Sequence, residues 1–242
     1  MNRIVIGSGI IKEEIIDDKV VINIEKDCNL LIEKDLYKKY EINVKNANLN
    51  ILIIKEDAND LEYKININKG NVSFNYVSVN SKNSKIEANL NKRKSNIEIY
   101  NSVIASNKVN YDILVNHNTC DTKSNIYNNG ITKEDGTIIF NVTSFAPKKA
   151  KNSIINQDSK IITLNDVNEN EINPVLLIDS FEAEARHAAF IGNFKEKELF
   201  YLMSRGLSKK EASNLLINGL LFGQLSICFN EKEDLKKRFF IW

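Results

Sequence analysis

Proline, cysteine and histidine are scarce in this chain of 242 residues, which has two prolines, three cysteines and two histidines. Cys28, Cys120 and Cys228 are odd in number and far apart, so they do not form the paired framework of a small secreted protein. A reducing cytoplasm is therefore the expected compartment. Cys28 and Cys228 fit the common role of small buried apolar residues, and the sequence assigns no chemistry to the three thiols.

The chain also has no large excess of positive or negative charge. It contains 33 Lys and Arg residues and 32 Asp and Glu residues, which gives a net charge of +1. That balance gives no electrostatic footprint for nucleic acid or an anionic membrane. The most apolar window, 215–229, is short and interrupted by Gly219 and Gly223, so we expect no membrane span. Neither nucleic acid nor membrane is an expected partner.

Familiar catalytic motifs are missing. The sequence has no glycine-rich phosphate loop with a lysine, no G-x-S-x-G and no H-E-x-x-H. His117 and Cys120 form an H-x-x-C pair that could be half of a metal site, but no second pair completes it. A turn is the favoured interpretation of this pair. We predict no catalytic residues, no metal site and no enzymatic activity.

Short β-branched or alternating segments separated by Asn, Asp, Lys and Gly fill most of the chain before residue 191. Asparagine tolerates left-handed backbone, so it can make turns in a chain with only nine glycines. Many short strands are compatible with a sandwich, a barrel or a β-helix. The predicted strands are Arg3–Ile6, Val20–Ile24, Leu30–Ile32, Tyr40–Val44, Leu49–Ile54, Leu61–Ile67, Val72–Val79, Lys85–Leu90, Ile97–Ile99, Val109–Val115, Thr137–Val142, Lys160–Leu164 and Val175–Asp179.

Two helices and a tight turn are predicted at the end of the chain, within 194–221. Ser208 and Glu211 have the spacing of an S-x-x-E capping box, in which each side chain bonds the other residue's backbone N–H. Gly206 suits the left-handed residue just beyond the first helix. The second helix is amphipathic, and its predicted apolar face consists of Ala212, Leu215, Leu216, Gly219 and Leu220.

This C-terminal sequence resembles that of the SufB/SufD family, the scaffold subunits of the SUF iron–sulfur cluster assembly machine. The family shows a segment close to LFYLRSRGLSEEEA where this chain has residues 199–212. Similarity continues upstream over roughly the second half of the chain. It includes Pro174–Ile178 and Glu182–Ala188, Gln157 followed by Ile161–Leu164, and the series His117, Thr122, Ser124 and Gly130.

The resemblance implies a mainly β fold, a right-handed parallel β-helix over residues 1–191, with a small α-helical domain over 192–242. It implies a short, divergent SufD-like member that acts as a non-catalytic scaffold subunit. In the family, the C-terminal helices dock onto a SufC-like ABC ATPase. The last turns of the β-helix would pair with a SufB-like paralogue or with a second copy of the chain.

The resemblance also marks candidate site residues. His187 matches the family's signature histidine, so it is a candidate iron or cluster ligand at the partner interface. Where relatives carry cysteine or glutamate nearby, this chain has Ile178, Ala185 and Ala188, so we expect no stably bound cofactor and only a transient iron–sulfur cluster there. The predicted partner-binding residues are Phe200, Tyr201, Met203, Arg205, Gly206 and Leu216.

Two other functions stay open at this point. A homodimer of the chain could be a self-sufficient cluster scaffold, which predicts cluster binding by this protein alone. A free-standing β-helix that binds a ligand such as a carbohydrate predicts exposed aromatic surfaces along the solenoid. The candidate aromatic residues for such surfaces are Tyr63, Tyr76, Tyr100, Tyr111 and Tyr127.

Overall fold

The protein is a mainly parallel β-solenoid of about five turns with three short helices near the C-terminus. This confirms the predicted fold class. The computed structural model describes residues 3–6, 11–16, 19–33, 37–57, 60–164, 169–227 and 229–239. Its elements, in chain order, are β1 Arg3–Ile6, β2 Ile11–Ile16, β3 Lys19–Ile24, β4 Cys28–Ile32, β5 Lys39–Glu56, β6 Leu61–Val79, β7 Asn83–Leu90, β8 Ser95–Ala105, β9 Lys108–His117, β10 Lys123–Thr132, β11 Thr137–Ala146, β12 Ile154–Thr163, β13 Glu171–Ile178, β14 Glu184–Gly192, α1 Glu196–Ser204, α2 Lys209–Phe222 and α3 Phe229–Arg238.

The solenoid has two sheet faces that meet in the long strands β5 and β6. Strands β7, β9, β11 and β13 stack in parallel along the first face, starting from the first half of β6. Strands β8, β10, β12 and β14 stack along the second face, starting from its second half. One strand on each face makes one rung of the solenoid, so the last rung consists of β13 and β14.

The two ends of the solenoid differ. At the N-terminal end, β1 pairs antiparallel with β4 and β2 pairs antiparallel with β3. At the other end, no described strand pairs with the outer edge of β13 or β14. An unpaired strand edge exposes a row of backbone donors and acceptors that can pair with another chain.

The number of residues per rung increases along the chain. A ladder of hydrogen bonds between asparagine side chains of successive rungs shows this increase. On the first face, each amide donates to the asparagine one rung earlier, in the order Asn116, Asn89, Asn66, Asn43 and Asn23. The separations are 27, 23, 23 and 20 residues. Separations of 31 residues follow on the second face in the later rungs. This drift explains why the sequence shows no fixed repeat.

Alternation along each strand fills the interior of the solenoid with β-branched and aromatic side chains. Tyr63, Tyr76 and Tyr111 are fully buried there and contact one another and neighbouring rings. Tyr100 and Tyr127 stack on each other with ring centroids 5.2 Å apart. Tyr63, Tyr76 and Tyr111 therefore offer no aromatic surface to a carbohydrate, whereas Tyr100 and Tyr127 are half-buried and remain partly accessible.

One corner of the solenoid repeats the same left-handed turn. Asn46, Lys69, Lys94, Asp121 and Asn152 all have φ between 53° and 75° and occupy successive rungs at this corner. Backbone hydrogen bonds link the turns, for example from the Lys94 N–H to the Asp121 carbonyl at 2.9 Å. Asparagine suits this conformation, as the sequence predicts, whereas lysine is strained there.

The predicted helix–turn–helix is confirmed. The Ser208 hydroxyl accepts from the Glu211 N–H, and the Glu211 carboxylate accepts from the Ser208 N–H, forming the capping box. Gly206 has φ of 95°, and the Leu207 N–H bonds the Leu202 carbonyl, as in a Schellman motif. No helix in the described part of the chain is long and apolar enough to cross a membrane.

The buried face of α2 matches the predicted apolar face only in part: Ala212 is buried and Leu220 packs against the buried cluster, as predicted. Leu215 is 53% exposed and Gly219 is exposed, whereas Ile217, Leu221 and Phe222 are buried. These residues cluster with outward-facing apolar residues of the second sheet face, among them residues of β5, β8 and β10. The helices therefore lie on the flank of the solenoid. The predicted division into two domains, 1–191 and 192–242, stays a prediction.

Strands β2, β10 and β14 and helix α3 are absent from the sequence-based prediction. Strand β10 contains Asn128, Asn129 and Gly130, residues that ordinarily disfavour strands, but parallel pairing with β8 and β12 determines its structure. Strand β14 places His187 inside the last strand, whereas the sequence predicts Val175–Asp179 as the last strand. Cys228 lies outside the described residues.

Relief of the strained turn should stabilise the fold. We predict that Lys94→Asn raises the free energy of unfolding by up to about 1 kcal/mol, because asparagine tolerates positive φ better than lysine. Lys92→Asn is the control, since Lys92 lies in the same turn without a positive φ. Urea denaturation measures both, and equal effects of the two substitutions would contradict the strain argument.

The asparagine ladder should contribute to stability as well. Asn66 donates to Asn43 and accepts from Asn89, so Asn66→Ala removes two hydrogen bonds and should cost about 1–2 kcal/mol. Asn68, on the same side of β6, makes no side-chain hydrogen bond with a described residue and supplies the control Asn68→Ala. Denaturant titration that gave both variants the same stability would show that the ladder is energetically neutral.

Candidate functional site

The last rung leaves the interior of the solenoid open at its C-terminal end. Residues of β14 that pair with buried residues of β12 occupy the inward side of the strand; they are Ala185, His187, Ala189 and Ile191. The corresponding inward residues of β13 are Ile172, Pro174, Leu176 and Ile178. The inward residues of β14 are exposed and those of β13 are only half-buried. Half of a hydrophobic core is therefore presented to the outside.

His187 is the only polar residue among these inward positions. It pairs in register with Gln157, which is 3% exposed. The His187 side chain is exposed and makes no hydrogen bond with a described residue. Among these inward residues, the imidazole is thus the one side chain that can donate a proton, accept one or ligate a metal.

Large exposed apolar side chains are concentrated on the last rungs and on the helices. Phe181 is fully exposed at the corner between β13 and β14, and Phe190 packs near Lys160, with the ammonium 5.5 Å from the ring centroid. Among the residues whose burial the structure describes, these side chains are Ile154, Val175, Leu177, Phe181, Phe190, Ile191, Phe200, Tyr201, Met203 and Leu215. Concentrated exposed apolar surface of this kind is typical of protein interfaces.

The predicted partner-binding residues lie on α1, in the turn that follows it and on α2. Phe200, Tyr201 and Met203 are 71%, 59% and 41% exposed on α1. The guanidinium of Arg205 lies 5.3 Å from the centroid of the Tyr201 ring, next to Gly206 in the turn. Leu216 is half-buried on α2. These six residues are at least partly accessible, and Tyr201 and Arg205 form an aromatic–arginine pair among them. Their binding role stays a prediction.

His117 is a structural residue of the interior. It is fully buried, and its Nδ1 lies 2.8 Å from Thr122 Oγ1 while its Nε2 lies 2.9 Å from Ser124 Oγ. Both ring nitrogens are therefore engaged, and burial lowers the pKa of His117 to about 4. His117 ends β9, and the turn that leads to β10 comes directly after it, where the sequence favours a turn.

The thiols do not gather near His187. Cys28 is buried in β4, where burial and then the Asp27 charge raise the pKa of its thiol. Cys120 is half-buried in the turn after β9. No group of three or more His, Cys, Asp or Glu residues that could hold a metal ion occurs within the described ranges. His187 accordingly has no thiolate partner among the described residues.

A family model described as the SufBD core domain of SUF system FeS cluster assembly matches residues 36–220. This chain belongs to the SufBD family. The match covers most of the solenoid together with α1 and most of α2, so both the open end and the exposed helical surface are parts of the SufBD core.

Two relatives of this SufBD-family chain illustrate the similarity. The iron–sulfur cluster assembly protein SufD of Bacillus subtilis is 36% identical over 96 residues, which cover 40% of this chain and 22% of that protein. An iron–sulfur cluster assembly SufBD family protein of Staphylococcus aureus strain USA300 is 28% identical over 105 residues, or 43% of this chain and 23% of that protein. The matched part of the chain thus spans less than a quarter of the length of these curated relatives.

Sequence reasoning identified His187 but missed its surroundings. The alanines and isoleucine that share its inward side, Ala185, Ala189 and Ile191, alternate with Arg186 and Ala188. Alternation was the available signal, but alanine is a poor strand former and masks the period. Gln157 was noted as similar to the family sequence, whereas its position beneath His187 follows only from the register.

Neutral, buried His117 should make stability depend on pH. Its pKa is about 4 in the folded protein and about 6.5 in an unfolded chain, so protonation favours unfolding as pH falls from about 6.5 toward 4. We predict that the wild type loses about 2 kcal/mol more stability between pH 7 and pH 5 than His117→Gln does. Denaturation at the two pH values measures this, and equal losses would contradict the assignment.

Proposed function

We propose that this protein is a non-catalytic, SufD-like scaffold subunit of a SUF-type iron–sulfur cluster assembly complex. The observation that carries the proposal is the open last rung, in which a lone histidine stands among apolar inward residues at the end of a SufBD core. A solenoid end of this kind loses exposed apolar surface and unpaired strand edges when a second solenoid covers it.

The partner at the open end is a SufB-like paralogue or a second copy of this chain. The cluster is the cargo of the complex, and it forms transiently between the two subunits. His187 supplies at most one ligand to it, and thiolates come from the partner, because no described cysteine lies near the histidine and iron–sulfur clusters are held mainly by thiolates.

The helices are the docking site for a SufC-like ABC ATPase. Phe200, Tyr201, Met203 and Arg205 have the composition of an interface hot spot, in which aromatic residues and arginine contribute most of the binding energy. The helices pack on the flank of the solenoid and leave the last rung free, so both partners can bind at once. ATP-driven movement of the ATPase would then pull on the solenoid and reshape the interface at His187.

Partner binding at the open end can be tested with two adjacent alanines. Ala189 and Ala188 are both exposed on β14, but Ala189 faces inward and Ala188 faces outward. We predict that Ala189→Glu lowers affinity for a SufB-like partner or for self-association at least tenfold, because a charge would be buried in the joined cores. Ala188→Glu should have a much smaller effect.

Co-purification and light scattering measure both variants. Equal association of Ala188→Glu and Ala189→Glu, at the wild-type level, would show that the open end is not the partner interface. Self-association without any SufB-like protein would identify the second copy as the partner. A visible iron–sulfur chromophore after anaerobic reconstitution of this chain alone would then favour the self-sufficient homodimer.

ATPase docking calls for a separate test. We predict that Tyr201→Ala with Arg205→Ala weakens co-purification with the ABC ATPase encoded in the same genome by tenfold or more, because the exposed ring and guanidinium are lost together. The control is Asp234→Ala with Lys237→Ala, two exposed residues of opposite charge on α3. Unchanged ATPase binding by the α1 variant would contradict the assignment of this surface.

A further inference from the structure

Gln157 connects the two sheet faces just below the open end. It lies on β12, is 3% exposed, and its Nε2 donates to Ser144 Oγ at 2.9 Å and to the Val175 carbonyl at 3.3 Å. The Val175 carbonyl can only accept, so the amide atom beside it must be the nitrogen. This contact fixes the orientation of the amide and leaves Oε1 on the other side.

The Oε1 atom of Gln157 is buried and has no hydrogen-bond partner among the described residues. A buried carbonyl oxygen without a donor is costly, and such groups are rare in folded proteins. The orphaned oxygen thus requires a donor from a neighbouring position. Within this chain, that donor has to come from a side chain on the adjacent rungs.

The register supplies one candidate. His187 pairs directly with Gln157 across neighbouring strands, which lie about 4.8 Å apart, and both occupy the inward side. All other inward residues of the last rung are apolar, so His187 alone can donate to Oε1 from that rung. Its exposed ring is free to rotate toward the amide, since no hydrogen bond to a described residue holds it elsewhere.

We propose that Gln157 is a positioning residue for His187: its Oε1 accepts a hydrogen bond from one ring nitrogen and fixes the imidazole in a single tautomer. The other nitrogen then presents its lone pair at the open end. Metal-ligating histidines commonly use a second hydrogen bond in this way. That last consequence, an oriented ligand facing the partner subunit, rests on the proposed function, whereas the Gln157–His187 contact does not.

Nitrogen-15 NMR of the imidazole rings tests the contact in the isolated full-length chain. The chain has only two histidines, so His117 serves as an internal reference for an intact fold. At about pH 8, where an ordinary imidazole is neutral, we expect one protonated and one unprotonated ring nitrogen for His187. Gln157→Met should move both resonances to averaged positions, as expected for mixed tautomers.

Ser159→Ala is the matched control, because Ser159 is the next inward residue of β12 and pairs with Ala189. It should leave the His187 spectrum unchanged. An averaged His187 ring in the wild type, or an unchanged ring in Gln157→Met, would overturn the proposal whether or not any partner binds.

Discussion

Each rung of this solenoid bonds its backbone and buries its inner side chains by contact with the next rung. That dependence explains the regular asparagine ladders, the stacked left-handed turns and the continuous apolar interior. It also creates a problem at both ends, where the next rung is absent. Antiparallel strands β1 and β2 cover the first end, whereas no described strand covers β13 and β14. The last rung therefore exposes unpaired backbone groups and apolar side chains that the earlier rungs bury.

The C-terminal helices likewise bury apolar side chains of the solenoid, on its flank instead of at its end. They bury apolar residues that project outward from the second sheet face, and Arg238 anchors α3 to Glu33 and Glu56 in early rungs. Their packed side is thereby separate from α1, whose exposed residues stay available. The molecule thus has two exposed surfaces, an open end that contains His187 and a helical surface that contains Tyr201. Membership of the SufBD family gives both surfaces a functional context.

Much of the fold follows from local sequence. β-Branched alternation located most strands, and the capping box of Ser208 and Glu211 located the start of α2. Prediction failed where neighbouring rungs override local preference, as in asparagine-rich β10 and alanine-rich β14. It also placed the packing face of α2 only partly correctly, because Leu215 is as apolar as Leu221 and only the solenoid determines which of them is buried.

For the candidate site as well, one part is predictable from the sequence and the rest depends on the folded structure. His187 was recognisable from its sequence context, since a histidine is rare in this chain and its offset matches the family pattern. Its inward direction, the apolar residues beside it and the orphaned oxygen of Gln157 are properties of strand register. Register links residues about 30 positions apart with a spacing that changes from rung to rung, so no local pattern in the sequence reveals it.

Hydrogen exchange at the backbone amides of β13 and β14 tests the central claim most directly. The chain should be measured alone and after co-expression with a SufB-like protein. If the last rung is completed by a partner, or by a second copy, these amides should exchange rapidly in the isolated monomer and become strongly protected in the assembly. If exchange in β13 and β14 is unchanged in the assembly while amides in other elements become strongly protected, the open end is not where the partner binds.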